Sequence, residues 1–165
     1  MLMTILLALA GCVLLFLMIW EATLTMPFSA LAKNFPPDVQ ERLKPRLENL
    51  PLTPKRVVGG IILVILILAW GGIFLVAGID GKAHGFGYWD YAIRFLVIGM
   101  AVKAFDIGCL DFILLTKTKF FQHYFPETEG CEGWQQFGYN RKQQTRQCII
   151  IPICCLLCAL VFTYL

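Results

Sequence analysis

The chain has 165 residues, of which 58% are hydrophobic and 15% charged, with a mean hydropathy of +0.70 and a formal net charge of +3 at pH 7. Soluble domains carry about 45–50% apolar and about 25% charged residues, and here the apolar excess is gathered into four blocks, which excludes an ordinary water-soluble fold. The small positive surplus excludes nucleic acid as the natural partner; the lipid bilayer takes that place, with another membrane protein or a second copy of the chain as further candidates.

The first block supplies a transmembrane helix over residues 2–22. Leu9-Ala10-Gly11-Cys12 resembles the lipobox of bacterial lipoprotein signal peptides. No basic segment precedes it, however, and the apolar run continues to Trp20, whereas a signal peptide stops after about 7–15 apolar residues. An uncleaved span is therefore expected. Glu21 follows Trp20 at the inner boundary, as an interfacial acid or as part of a polar site.

A polar connection runs from Pro27 to Arg56. Within it, residues 36–50 read as an amphipathic helix. Asp38 and Glu41 suggest a capping box after Pro36-Pro37, and Val39, Leu43, Leu47 and Leu50 fall at helical spacing around the interrupting Pro45. Such a helix lies on the membrane surface or packs beneath the bundle. The second span, 57–79, has no charge, and its Gly59-Gly60, Gly71-Gly72 and Gly78 offer small faces for close helix approach. The turn over residues 80–90 is Gly-rich and ends in boundary aromatics, Tyr88, Trp89 and Tyr91.

The third span, 91–116, differs from the rest because it carries Arg94, Lys103, Asp106 and Asp111. Arg94 is near enough to the outer boundary to snorkel to water. Lys103 and Asp106 are three apart and can pair on one helix face. Asp111 lies further toward the cytoplasm on the same general side. Ionisable groups at membrane depth cost roughly 2.5–3.5 kcal/mol each on insertion scales, so they have partners or a task. Lys103, Asp106, Asp111 and Glu21 are thus the candidate polar site.

An aromatic-rich connection, 117–147, is expected to lie against the membrane or fold back under the bundle mouth. Its His123, Glu127, Glu129, Cys131 and Glu132 lack the spacing of a zinc site, and no metal or cofactor is expected. The fourth span is 148–165. Six of the seven cysteines lie in or beside apolar blocks, which suits packing better than disulfides. Cys155-x-x-Cys158 has no neighbouring charge to activate a thiol.

The first and third connections hold six and five Lys or Arg residues, against Lys82 alone in the second. The positive-inside bias then puts both long connections in the cytoplasm and both termini outside. The expected fold class is an all-α integral membrane protein of four transmembrane helices in the cell membrane. The expected function is non-enzymatic, that of a structural or partner-binding membrane subunit. The alternative is a small transporter-type protein using Lys103, Asp106 and Asp111 for ion or proton coupling. A thiol oxidoreductase working through Cys155 and Cys158 is a third reading.

Overall fold

In a run of twenty apolar residues the backbone has only itself to hydrogen-bond to, and a helix is the arrangement that satisfies it within one segment. A computed structural model describes residues 1–26 and 29–165, without the side chains of residues 29–31. Pro27 and Phe28, which open the first polar connection, lie outside the described residues. The described residues are helical, without a strand.

Helix α1 spans Leu2–Thr25 and closes at Met26, whose φ of 43° is left-handed and whose N–H donates to the carbonyl of Ala22. A 3₁₀ turn, Ser29–Asn34, leads to α2, Pro37–Glu48, and then to α3, Pro54–Ala83. Helix α4 covers Tyr88–Phe105 and passes without a break into a π-helical segment, Asp106–Leu115. After α5, Phe120–Tyr124, and two 3₁₀ turns comes α6, Arg141–Tyr164. Helices α1, α3 and α6 are long and apolar enough to cross a membrane. Helix α4 has 18 residues that include Asp90, Arg94 and Lys103, and the π-helical segment prolongs it by 10.

Several elements depart from the sequence expectation. The stretch 91–116 is not one α-helix but an α-helix continued by a π-helix. The last helix begins at Arg141 rather than 148, so Arg141–Gln147 leaves the expected loop and adds nearly two polar turns to α6. Asp38 makes no capping box, since no side chain caps α2. Its carboxylate accepts instead from the N–H of Gly133, at 2.8 Å.

Arg94 does not snorkel. Its side chain is 5% exposed and donates to Asp80 Oδ2 at 2.6 Å and to the carbonyl of Ala77 at 2.9 Å, with the guanidinium 4.2 Å from the Phe86 ring centre. The reason is the short turn between α3 and α4, which brings Asp80 level with Arg94 across the hairpin. A guanidinium with a carboxylate within reach has no need of water.

Helix α4 touches α1, α3 and α6, packing most extensively on α6, while α1 lies against both α3 and α4. Its buried residues Tyr91, Phe95 and Ile98 recur at helical spacing and meet Leu7, Ile73, Ala77, Cys155 and Ala159. Phe95 is the centre of this packing, with Phe74, Tyr91 and Phe162 all about it. Cys155 packs here too, donating to the carbonyl of Phe95 at 3.3 Å. Away from these contacts the helices turn Ile, Leu and Val outward along their length. Water does not tolerate so extended an apolar surface, whereas acyl chains do.

A second apolar cluster lies at the other end of α1. Val39 and Leu43 of α2 are fully buried against Phe121, Phe125, Cys131 and Trp134. The indole of Trp134 stacks on Phe121, 5.1 Å centre to centre, and its Nε1 donates to Thr128 Oγ1 at 3.0 Å. Arg46 reaches Glu127 at 2.8 Å. The apolar face of α2 is therefore covered by the 117–147 connection, and the two long connections form one cap. Gly133 is required there, because a Cβ would come 2.1 Å from Asp38 Oδ1.

Two glycines of α3 give a direct comparison. A Cβ at Gly78 would sit 2.2 Å from the Phe162 ring, whereas one at Gly72 meets nothing within 4 Å. Gly78→Ala is expected to destabilise by about 1–3 kcal/mol through overpacking. Gly72→Ala is expected to be neutral or to stabilise by up to about 1 kcal/mol. Reversible unfolding in mixed micelles measures both, and equal effects would contradict this helix packing.

Candidate functional site

The charged groups of α4 and its continuation meet the polar first turns of α6. In an α-helix, residues five apart point to different sides, but the i→i+5 bonding of a π-helix widens the turn and brings such residues round to nearly the same side. Asp106 and Asp111 are five apart within the π-helical segment. The widened winding therefore turns both carboxylates toward one amide, that of Gln144.

Lys103 is 4% exposed, and its ammonium donates to Asp106 Oδ2 at 2.7 Å, to Gln147 Oε1 at 2.5 Å and to Gln144 Oε1. Gln144 Nε2 donates to Asp111 Oδ2 at 2.5 Å and to Asp106 Oδ2 at 3.4 Å. Asn140 Nδ2 adds a bond of 3.0 Å to Asp111 Oδ2. With all groups ionised the cluster sums to one negative charge, from one ammonium and two carboxylates. In both carboxylates Oδ2 carries the bonds, and Oδ1 is neither bonded to a described residue nor sealed from the surface.

The structure thus brings Lys103, Asp106 and Asp111 together and leaves Glu21 apart. Glu21 Oε1 is buried without a hydrogen-bond partner, and the side chain does not line the cavity beside the cluster. Thr23, Ala22 and Ile19 are the α1 residues that face that cavity. Sequence reasoning missed Asn140, Gln144 and Gln147, which it placed in a loop. Their signal was the amide run Gln143, Gln144 and Gln147, at helical spacing ahead of the apolar block of α6.

The cavity holds about 270 Å³. It is lined by Asp106, Asp111 and the α6 amides together with the apolar Ile19, Leu110, Leu115 and Phe121. Tyr139 closes the cap side by donating its hydroxyl to the carbonyl of Asn34. Burial, then the nearby Asp111 and Asp106, push the Tyr139 phenol up from its ordinary pKa, so this donor keeps its proton throughout the physiological range.

The other candidate groups have different surroundings. Glu127 pairs with Arg46 and Glu129 with Lys119, and Cys131 is buried in the cap, where desolvation raises its thiol pKa. Among the described residues no three His, Cys, Asp or Glu side chains gather as metal ligands.

Lys103→Met leaves Asp106 without its ammonium and two glutamine oxygens without a donor. Breaking such a buried pair costs about 3–5 kcal/mol. Adding Asp106→Leu is expected to recover most of that loss, as read by unfolding in mixed micelles. A double variant no more stable than the single one would contradict the pairing.

No protein-family model, curated protein or solved structure matches this chain, so its functional reading rests on the residues above.

Proposed function

We propose that this chain is a four-span membrane protein that acts as a structural or partner-binding membrane subunit, with both termini outside and both long connections in the cytoplasm. The fourth span is α4 with its π-helical continuation, Tyr88–Leu115. That rod is long enough for a bilayer, since about 20 helical residues suffice, and its Arg94 turns to α3 while Lys103, Asp106 and Asp111 turn to α6. The single observation that carries the reading is the filled ammonium of Lys103. Each of its three protons has an acceptor, Asp106, Gln144 or Gln147. A fully satisfied buried network fixes helices in one register, and Lys103, together with the amide bonds from Gln144 and Asn140 to Asp106 and Asp111, joins this rod to the start of α6.

The cap supports the same orientation. The connections rich in Lys and Arg fold on one another, which puts them on one side of the lipid, and the positive-inside rule makes that side the cytoplasm. The buried, packed Cys155 gives no support to thiol exchange with a quinone. Asp106 and Asp111 line a cavity, and their Oδ1 atoms are bonded to no described residue, which favours a second reading, coupling to a proton or cation.

Alkaline phosphatase, active only outside, and a fluorescent protein that matures in the cytoplasm test the topology. Fused after Leu165, the phosphatase is expected to be active and the fluorescent protein dark; the reverse pattern would overturn the outside placement of the termini. In proteoliposomes, proton or cation flux that disappears in Asp106→Asn would move the assignment to coupling. Absence of flux in the wild-type protein leaves the subunit reading in place.

A further inference from the structure

The polar cavity does not stand alone. A groove lies next to it between the 3₁₀ turn, the start of α2 and the first turns of α6, and it carries Lys33, Arg141 and Lys142 with no acid among its lining residues. Asn34, Phe35, Tyr139, Asn140 and Gln143 line both spaces. One wall thus separates a cationic outer space from an inner one that carries Asp106 and Asp111. Lys33, Arg141 and Lys142 form no salt bridge with described residues.

The outer groove is built against a local preference. The positive end of a helix dipole favours acids, yet α6 opens with Arg141 and Lys142 and has no acid in its first turn. Lys33, Arg141 and Lys142 thus line one groove beside the start of α6, and such a set of cationic donors suits a phosphate. The inner space offers the reverse. Two carboxylates with unbonded Oδ1 atoms face a cavity that also has Phe35 and Phe121 in its walls, and aromatic faces attract ammonium groups.

We propose that the paired spaces form a binding site for a phosphate ester that carries an ammonium group, as in an aminophospholipid headgroup or a soluble phosphoamine. The phosphate lies against Lys33, Arg141 and Lys142, and the ammonium lies against Asp106 and Asp111. This rests on the membrane-spanning reading, because that reading sets the groove at the cytoplasmic boundary, where headgroups lie.

The test uses the full chain in a non-ionic detergent, with calorimetric titration of dihexanoyl phosphatidylethanolamine, dihexanoyl phosphatidylglycerol and O-phosphoethanolamine. Wild-type protein is expected to bind the ethanolamine lipid roughly tenfold or more tightly than the glycerol lipid. Asp111→Asn is expected to erase that preference. Arg141→Gln with Lys142→Gln is expected to weaken both lipids alike. Gln143→Leu alters the shared wall at a side chain that hydrogen-bonds to no described residue, so it tests the site without removing a fold contact seen there, and weaker ethanolamine-lipid binding is expected. O-phosphoethanolamine binding as tightly as the lipid would support the site and assign it to a soluble ligand. Equal affinity for the two lipids in the wild-type protein, or an ethanolamine preference that persists in both Asp111→Asn and Gln143→Leu, would overturn the proposal. The fusion reporters read topology independently, so a failed topology and a failed site are distinguishable.

Discussion

An ammonium has three protons to place, and within a helix bundle every one of them needs an acceptor. Lys103 finds Asp106 on its own helix and Gln144 and Gln147 on α6. The rest of the polar interior follows from that requirement. Gln144 can present its oxygen to Lys103 only with its nitrogen directed at the carboxylates, and it then serves Asp106 and Asp111 together. Asp111 comes within range because the helix changes its winding at Asp106. Runs of π-helix are uncommon in proteins, and here the winding has a definite geometrical effect.

The cluster also sits where two cores meet. Beyond it, toward one side, lies the bundle packing centred on Phe95. Toward the other lies the aromatic cap centred on Trp134, which draws in Met26 from the end of α1 and Leu115 from the end of the π-helical segment. Arg56, at the start of α3, ties the same region by donating to the carbonyls of Met26, Leu50 and Pro51. Polar groups at such a junction are held by packed elements on both sides.

Much of the helical architecture was legible in the sequence, because long apolar runs leave the backbone few alternatives. The Lys103–Asp106 contact was legible too, since three-residue spacing on a helix is a local property. What escaped was non-local. Arg94 read as a snorkelling side chain because its partner, Asp80, belongs to another helix and is brought level only by a tight turn. Asn140, Gln144 and Gln147 carry no charge, and they precede the apolar block they extend. The π winding leaves no mark in a segment as apolar as Ile107–Leu115, so the meeting of Asp106 and Asp111 was beyond pattern reading. Glu21 stays outside the cluster for a similar reason, since helix rotation about its axis is set by packing of α1 on α3 and α4.

Distance measurement by solid-state NMR, with ¹⁵N at the lysine Nζ and ¹³C at the glutamine side-chain carbonyl, tests the central claim in a lipid bilayer. The account expects a strong dipolar coupling between Lys103 and Gln144 or Gln147, corresponding to a separation under about 4 Å, as a direct hydrogen bond requires. The coupling should vanish when both glutamines are replaced by leucine. A wild-type protein whose Lys103 couples to no glutamine carbonyl would contradict it.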